Sequence, residues 1–421
     1  MLLSYRDPQV WKKFHARHWQ PRVPTVIRQP FRRFPFSEHL LFRSMHNFEE
    51  RLRDGDQRMP CLVSVGDSQR APRRPLRDLF RERSESLEEL EQACARVFPR
   101  MKFGLMVTHM QAGNPGIWSA ITAFLQDVRR WIPFPVPRAF LDLFYGSYSS
   151  SFTGIHKDTQ EIFAFVVRGE KRILAWPYDY FLSRVKGLSP GDRYFHTRLP
   201  LDPGDYRKDA LVLDARPGDV IYWPSDYWHV SEAQPGRFSA MLSLGIFRPD
   251  VVLSESSRFT EKLLCHSERS ALVSQDMTDA ITRPDAARQL RWATGFGFEL
   301  GGPIAEAPPR VRDEVTVVKI KSSVILWKLD PSHCRILVAS NGHSITLPHS
   351  SNIVKLLERI SRGESVSLST VRDRGVCSKI FETNWNKRCE LNTRKLISRR
   401  DPGAWLVRWL LRVHGVERRL I

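Results

Sequence analysis

The chain has 421 residues, 42% of them hydrophobic and 11% aromatic, which suits one large core or two smaller ones and excludes a disordered polypeptide. Lys and Arg outnumber Asp and Glu by 65 to 46, a formal charge of +19 that favours acidic or phosphate-bearing partners without specifying any chemistry. No run approaches the roughly 20 apolar residues of a membrane span, and the start of the chain (Met1 to Arg6, then Trp11, Lys12 and Lys13) lacks a signal peptide's apolar centre, so a cytoplasmic protein is expected.

Residues 1–138 read as a mixed, helix-rich flank, with aromatics at Phe31, Phe34 and Phe36 and one clear amphipathic run, in which Leu87, Leu90, Cys94 and Phe98 recur at helical spacing. The stretch Ile132 to Arg138 carries three prolines, which fix φ and remove donors, and marks a boundary. From 139 to 250 the texture changes to short β-branched and aromatic runs between Gly, Pro and Asp turns, as in a β-sandwich or barrel. The expected strands are Phe140 to Tyr148, Glu161 to Val167, Arg172 to Trp176, Ala210 to Leu213, Val220 to Trp223 and Phe238 to Phe247. Residues 251–300 turn helical, with Phe259, Leu263, Leu264, Leu272 and Met277 as the apolar positions. Residues 301–310 read as a linker. A last module, 311–421, shows paired strands (Val315 to Leu329 and Cys334 to Leu347) and helices at Asn352 to Ser361 and Gly403 to Val413. The six cysteines, Cys61, Cys94, Cys265, Cys334, Cys377 and Cys389, form no C-x-x-C pair, which argues for free thiols rather than a zinc site or disulfide framework.

The chemistry-bearing residues lie inside the β-rich block. His156-Lys-Asp158 follows a strand candidate, and His229 comes 73 residues later, after Pro217-Gly-Asp-Val-Ile-Tyr-Trp-Pro224. Two histidines and one carboxylate offer neutral nitrogen and anionic oxygen on one side of a metal and leave positions open, which suits Fe(II) that must also bind a cosubstrate and dioxygen. In a strand His156 and Asp158 share a face, because side chains alternate with period two. Spacing alone is weak, since a second H-x-E occurs at His266-Ser-Glu268 without strand or turn context. Trp176, Tyr222, Trp223 and Trp228 read as core.

The run from Phe152 through His156 and Asp158 to Lys171 and Pro177 resembles the metal-binding strand pair of the JmjC and cupin-like 2-oxoglutarate oxygenases, the asparaginyl hydroxylase of hypoxia-inducible factor among them. The segments 217–229 and 237–247 are similar to that family's distal-histidine turn and closing strand. The resemblance implies an α+β fold: a double-stranded β-helix (jelly-roll, cupin-like) core with helical flanks. It implies His156, Asp158 and His229 as iron ligands. Thr153, three residues before the first histidine, and Lys171, fifteen after it, would hold the distal carboxylate of 2-oxoglutarate. A departure stands at Ile162, where the asparaginyl hydroxylase has asparagine; Ser243 on the closing strand is a guess at a substitute. The implied activity is hydroxylation of an unactivated C–H bond using Fe(II), 2-oxoglutarate and O2. Because Asp158 occupies the carboxylate position no site is left for a halide, so halogenation is not expected; demethylation ranks below hydroxylation.

The overall plan is similar to the ribosomal oxygenases, which implies a dimerising middle region over 251–300 and a winged-helix-like C-terminal module. Residues 311–421 hold 21 Lys and Arg against 10 Asp and Glu, net +11, with Arg394, Lys395, Arg399, Arg400, Arg408, Arg412, Arg418 and Arg419 prominent. That module could dock an acidic peptide or protein substrate, a ribosome-associated partner or nucleic acid, or be a solvated surface. The alternatives to a protein or peptide hydroxylase are a small-molecule tailoring hydroxylase and a non-catalytic metal-binding cupin or nucleic-acid-binding regulator.

Overall fold

In the computed structural model the β-rich block forms two facing antiparallel sheets. The structure describes residues 3–53, 61–65, 86–97, 103–132, 139–148, 151, 153–233, 237–247, 263, 283–304, 316–319, 323–330, 335–367, 402–413 and 416–419. Two compact units divide the chain, Leu2–Leu253 and Ser254–Ile421. Among the described residues no helix is long and apolar enough to cross a membrane.

In the first unit the strands are β1 (Thr25–Ile27), β2 (Cys61–Val65), β3 (Phe103–Val107), β4 (Ala139–Ser147), β5 (His156–Lys157), β6 (Gln160–Arg168), β7 (Lys171–Pro177), β8 (Thr197–Arg198), β9 (Leu211–Ala215), β10 (Val220–Trp223), β11 (Tyr227–Ala233) and β12 (Ser239–Phe247). One sheet runs β1-β10-β6-β12-β4-β3-β2 and the other β8-β5-β11-β7-β9. From β4 to β7, and again from β9 to β12, successive strands alternate between the sheets. Ile162, Ala164, Val166, Ile221, Trp223 and Met241 of the first sheet therefore meet Ile173, Leu213 and Ala215 of the second in one buried cluster, which identifies the inward faces.

Several expectations are corrected here. The mixed flank 1–138 holds strands beside its helices, and these were not placed from sequence: β1, β2 and β3 extend the larger sheet, β1 pairing with β10 and β3 with β4. Its aromatics cover that sheet's outer face, where Phe163 and Phe165 meet Trp11, Phe14, Phe36 and Phe124. The helix expected near Leu87 spans Leu87–Val97 and buries Cys94 as a free thiol, its pKa pushed up to about 12 by burial and then by Glu91. Sequence reading missed β11, because Trp228-His229-Val-Ser-Glu232 shows no simple apolar alternation. The six expected strands exist, with ends within two residues of those expected and Val220–Trp223 matching at both. The Ile132 to Arg138 boundary lies mostly outside the described residues.

The turn between β6 and β7 sets the register of Lys171. Gly169 adopts φ +64°, and a Cβ there would run into the backbone carbonyl of Phe238, so only glycine fits.

An ion-pair network ties the flank to the strand that carries His229. Arg22 donates to Asp226 at 2.7 Å and to Glu161 at 3.1 Å, and Glu161, 1% exposed, also accepts from Tyr222 Oη at 2.6 Å and Ser225 Oγ at 3.1 Å. Burial pushes the Glu161 carboxyl up, and Arg22 and Tyr222 draw it back. Arg22→Ala leaves that carboxylate buried without its cation, an expected loss of about 3 kcal/mol. The thermal midpoint should fall by roughly 6–10 °C, and Glu161→Gln in the same background should recover part of it. An unchanged midpoint for Arg22→Ala would show that the pair contributes nothing.

The Ser254–Ile421 unit holds two three-stranded sheets. One pairs β13 (Thr316–Lys319) with β17 (Val366–Ser367) and β18 (Val416–Arg419); the other orders β14 (Ile325–Asp330), β15 (Arg335–Ser340) and β16 (His343–Pro348). The expected strand Val315 to Leu329 is thus two strands in different sheets, and Cys334 to Leu347 breaks at the Asn341-Gly342 turn. Helices Ser351–Ser361 and Pro402–Arg412 pack Ile353, Leu356, Leu357, Ile360, Leu406 and Leu410 onto Trp327, Ile336 and Val338. Gly301 and Gly302 are not a free linker: Gly302 N donates to Asn341 O at 3.0 Å, and His343 Nε2 donates to Gly302 O at 2.7 Å. Helix Arg283–Thr294 joins the same unit, with Gly342 N donating to Thr294 Oγ1 at 3.2 Å. Of the expected 251–300 helical region, the remainder lies outside the described residues apart from Leu263, as do Arg394, Lys395, Arg399 and Arg400.

Candidate metal centre

The rim of the two-sheet core brings His156, Asp158 and His229 together. β5 and β11 are antiparallel neighbours with His156 directly opposite His229, and their rings lie 4.2 Å apart. Asp158 follows β5, and one ligand atom from each of the three falls within 4.8 Å of the other two. Asp158 Oδ2 is 3.4 Å from His229 Nε2 and Oδ1 is 4.0 Å from His156 Nε2. Lys157 between them is fully buried on the opposite side, as period-two alternation requires.

The backbone sets which nitrogen each histidine presents. His156 Nδ1 donates to Gly154 O at 2.9 Å and His229 Nδ1 to Tyr227 O at 3.4 Å. A carbonyl only accepts, so each ring keeps its proton on Nδ1 and turns the Nε2 lone pair toward Asp158. Gly154, at φ +63°, makes the left-handed bend that aims its carbonyl at the ring.

Burial pushes the His229 imidazole down to about 3, with His156 adding to the effect. Burial alone would raise the Asp158 carboxyl, but the hydrogen bond from His196 and the nearby His156 and His229 hold it well below the usual carboxylate range. The donor set therefore includes a neutral His229 nitrogen and an ionised Asp158 oxygen, which suit a divalent cation.

The same shifts set an acid limit. His229 titrates near 3 in the fold and near 6.5 when unfolded, so its contribution is complete above about pH 6.5 and declines as pH falls, at up to about 1.4 kcal/mol per pH unit. Asp158, held low in the fold, contributes above its unfolded pKa and loses that stability below it, in the same direction. The thermal midpoint of chelator-treated protein should therefore drop steadily from pH 7 to pH 4; a flat profile over that range would contradict the buried neutral His229.

Inward from the triad the core is polar. Lys171, 1% exposed, lies on β7 two residues before inward-facing Ile173, opposite Ala233 of β11. Among the described residues its only hydrogen bond is to Tyr148 Oη at 2.5 Å, with the ammonium 4.3 Å from the same ring's centroid. Among the described residues this buried cation has no counter-anion. Thr153 lies on the segment that flanks the other side of β11: Ser151 N donates to Ser231 O at 2.7 Å, and Thr153 Oγ1 shares a 2.7 Å hydrogen bond with Ser151 Oγ. Ser243 sits two residues from inward-facing Met241, paired with Ala164 on one side and Asp142 on the other. Ile162 lies in the apolar cluster.

Three further inward positions carry buried polar atoms with no hydrogen-bond partner among the described residues: Asp142 Oδ1, Trp223 Nε1 and Ser231 Oγ. Burial, with a smaller contribution from Asp158, pushes the Asp142 carboxyl up to about 7. Trp176, Tyr222 and Trp228 are core as expected. Trp223 is also a wall of the site, its ring 4.9 Å from His229. Sequence reading missed Tyr148, Asp142, Trp223, Ser231 and His196. Tyr148 and Asp142 had a usable signal, the even-numbered alternation through Asp142 and Phe144 into Tyr148; His196 had none.

No protein-family model and no curated protein matches the sequence. Among solved structures, the X-ray structure of Escherichia coli YcfD is similar at 16% identity and a TM-score of 0.47, over 100% of each chain. The structure of YcfD, a ribosomal oxygenase from Escherichia coli, in complex with cobalt and 2-oxoglutarate is similar at 14% identity and a TM-score of 0.45, over 99% of this chain and 100% of that one.

Proposed function

We propose that this protein is an Fe(II)- and 2-oxoglutarate-dependent oxygenase that hydroxylates an unactivated C–H bond, most naturally in a residue of a protein or peptide. The observation that carries the reading is the pairing, inside one core, of a two-histidine, one-carboxylate cluster with a buried lysine that has no anion beside it among the described residues. A buried ammonium with only a phenol for partner is costly unless an anionic ligand completes it, and the orphaned Trp223 Nε1 and Ser231 Oγ leave room for further hydrogen bonds to such a ligand.

His156, Asp158 and His229 would hold the iron, and Lys171, with Tyr148 and Thr153 nearby on the chain that flanks β11, would hold the distal carboxylate of 2-oxoglutarate. When bound, Fe(II) with 2-oxoglutarate and O2 supplies the oxidising power: one oxygen atom enters the C–H bond and the other leaves in succinate, with release of carbon dioxide. The chain's own part is to orient both imidazoles, to neutralise the cosubstrate's far end, and to exclude water with Trp223, Ile173 and Ala164. Strand alternation between the two sheets from β4 to β7 and from β9 to β12 supports reading the core as a double-stranded β-helix. The helix-and-strand packing of 316–419 supports a winged-helix-like module, whose net +11 would attract an acidic protein, peptide or ribosomal partner.

The test is anaerobic addition of Fe(II) and 2-oxoglutarate, then oxygen and a peptide and metabolite pool. A weak visible charge-transfer band, succinate formation and a mass gain of one oxygen are expected. Absence of both the band and succinate would refute the reading.

A further inference from the structure

The excursion of residues 178–210, between β7 and β9, packs Tyr178, Phe181 and Leu199 against Leu174, Trp176, Trp228 and Val230 on the outer face of the smaller sheet. It then adds β8 beside β5, placing Arg198 opposite His156 and Thr197 opposite Lys157. One residue before β8, His196 reaches the metal-facing carboxylate: its Nδ1 is 3.5 Å from Asp158 Oδ1, while Asp158 Oδ2 is the oxygen at 3.4 Å from His229 Nε2.

The approach of His196 is held from beneath. Lys157 has no exposed surface, and its ammonium donates to Arg193 O at 2.6 Å and Phe195 O at 2.7 Å. The residue between the two ligands of the H-x-D pair thus anchors the loop that carries His196. A buried lysine satisfied by carbonyls on both sides of Tyr194 leaves the adjacent backbone little freedom.

Two histidines and a carboxylate leave three positions on a six-coordinate metal only if the carboxylate binds through one oxygen. We infer that His196 is a positioning residue that engages Asp158 Oδ1 and so leaves Oδ2 alone for the metal. This rests on reading His156, Asp158 and His229 as metal ligands, and deepens it. The imidazole donates, the carboxylate accepts, and the rotation of Asp158 is set from outside the metal's own ligand sphere.

Titration of the full-length protein with Co(II), followed by its visible absorption, tests this without turnover. His196 is 64% exposed at its side chain, so His196→Ala should fold as the parent does. Co(II) affinity is expected to weaken about tenfold or more in His196→Ala and to return to within about threefold of the parent in His196→Gln, whose amide N–H still donates. An Ala variant within about twofold of the parent, or a Gln variant as weak as Ala, overturns the inference. His156→Ala separates the two readings: if it binds Co(II) as the parent does, the ligand assignment falls and takes this inference with it. If it loses Co(II) while His196→Ala keeps it, the inference alone falls.

Discussion

Asp158→Ala is expected to reduce 2-oxoglutarate-coupled succinate formation by more than about 100-fold, to background, and to abolish metal binding at micromolar concentrations. Asp158 is the only anion among the three ligand residues. It is held ionised by His196, His156 and His229 against the burial that would otherwise protonate it, so its loss leaves two imidazoles that bind hard divalent iron poorly. His156→Ala should act alike by removing the lone pair that Gly154 O aims inward. The measurements are succinate by mass spectrometry and bound metal by atomic emission. Turnover that survives either change with full iron loading would refute the ligand assignment.

Lys171→Met is expected to raise the KM for 2-oxoglutarate about 100-fold, the equivalent of roughly 2.7 kcal/mol for one buried charge-assisted contact. Its effect on folding should have the opposite sign. Among the described residues Lys171 is buried with only Tyr148 Oη as hydrogen-bond partner, so replacing the cation by an apolar side chain of similar length should leave the thermal midpoint unchanged or higher. A residue whose removal favours the empty fold and disfavours cosubstrate binding is a ligand-binding residue. A KM within threefold of the parent, or a clear loss of stability, would mean that Lys171 is structural.

Local patterns made much of the site legible. The H-x-D spacing lies beside a strand, where period-two alternation puts both ligand candidates on one face; the lysine fifteen residues on and the Pro217-Gly-Asp turn ahead of His229 were singled out by the resemblance to the oxygenase family. Helix Leu87–Val97 and helix Ser351–Ser361 were likewise readable from their apolar spacing. Reading failed where a residue's role depends on a distant partner. Nothing near Arg22 announces Glu161, and nothing near Thr25 announces that it will pair with Tyr222. β11 was missed because both its faces are covered, which removes the alternation of buried and exposed positions that marks a one-sided strand.

The sequence by itself determined the residue types and their local order: two histidines and an aspartate, a lysine one hairpin later, and a surplus of positive charge concentrated after residue 310. Tertiary structure decided which of these meet. Pairing of β5 with β11 set His156 against His229, and closure of two sheets buried Lys171 with no anion beside it among the described residues. The excursion over 178–210 delivered His196 to Asp158. Spacing along a strand is a property of covalent geometry, whereas desolvation and cross-strand approach arise only when segments far apart in the chain pack together.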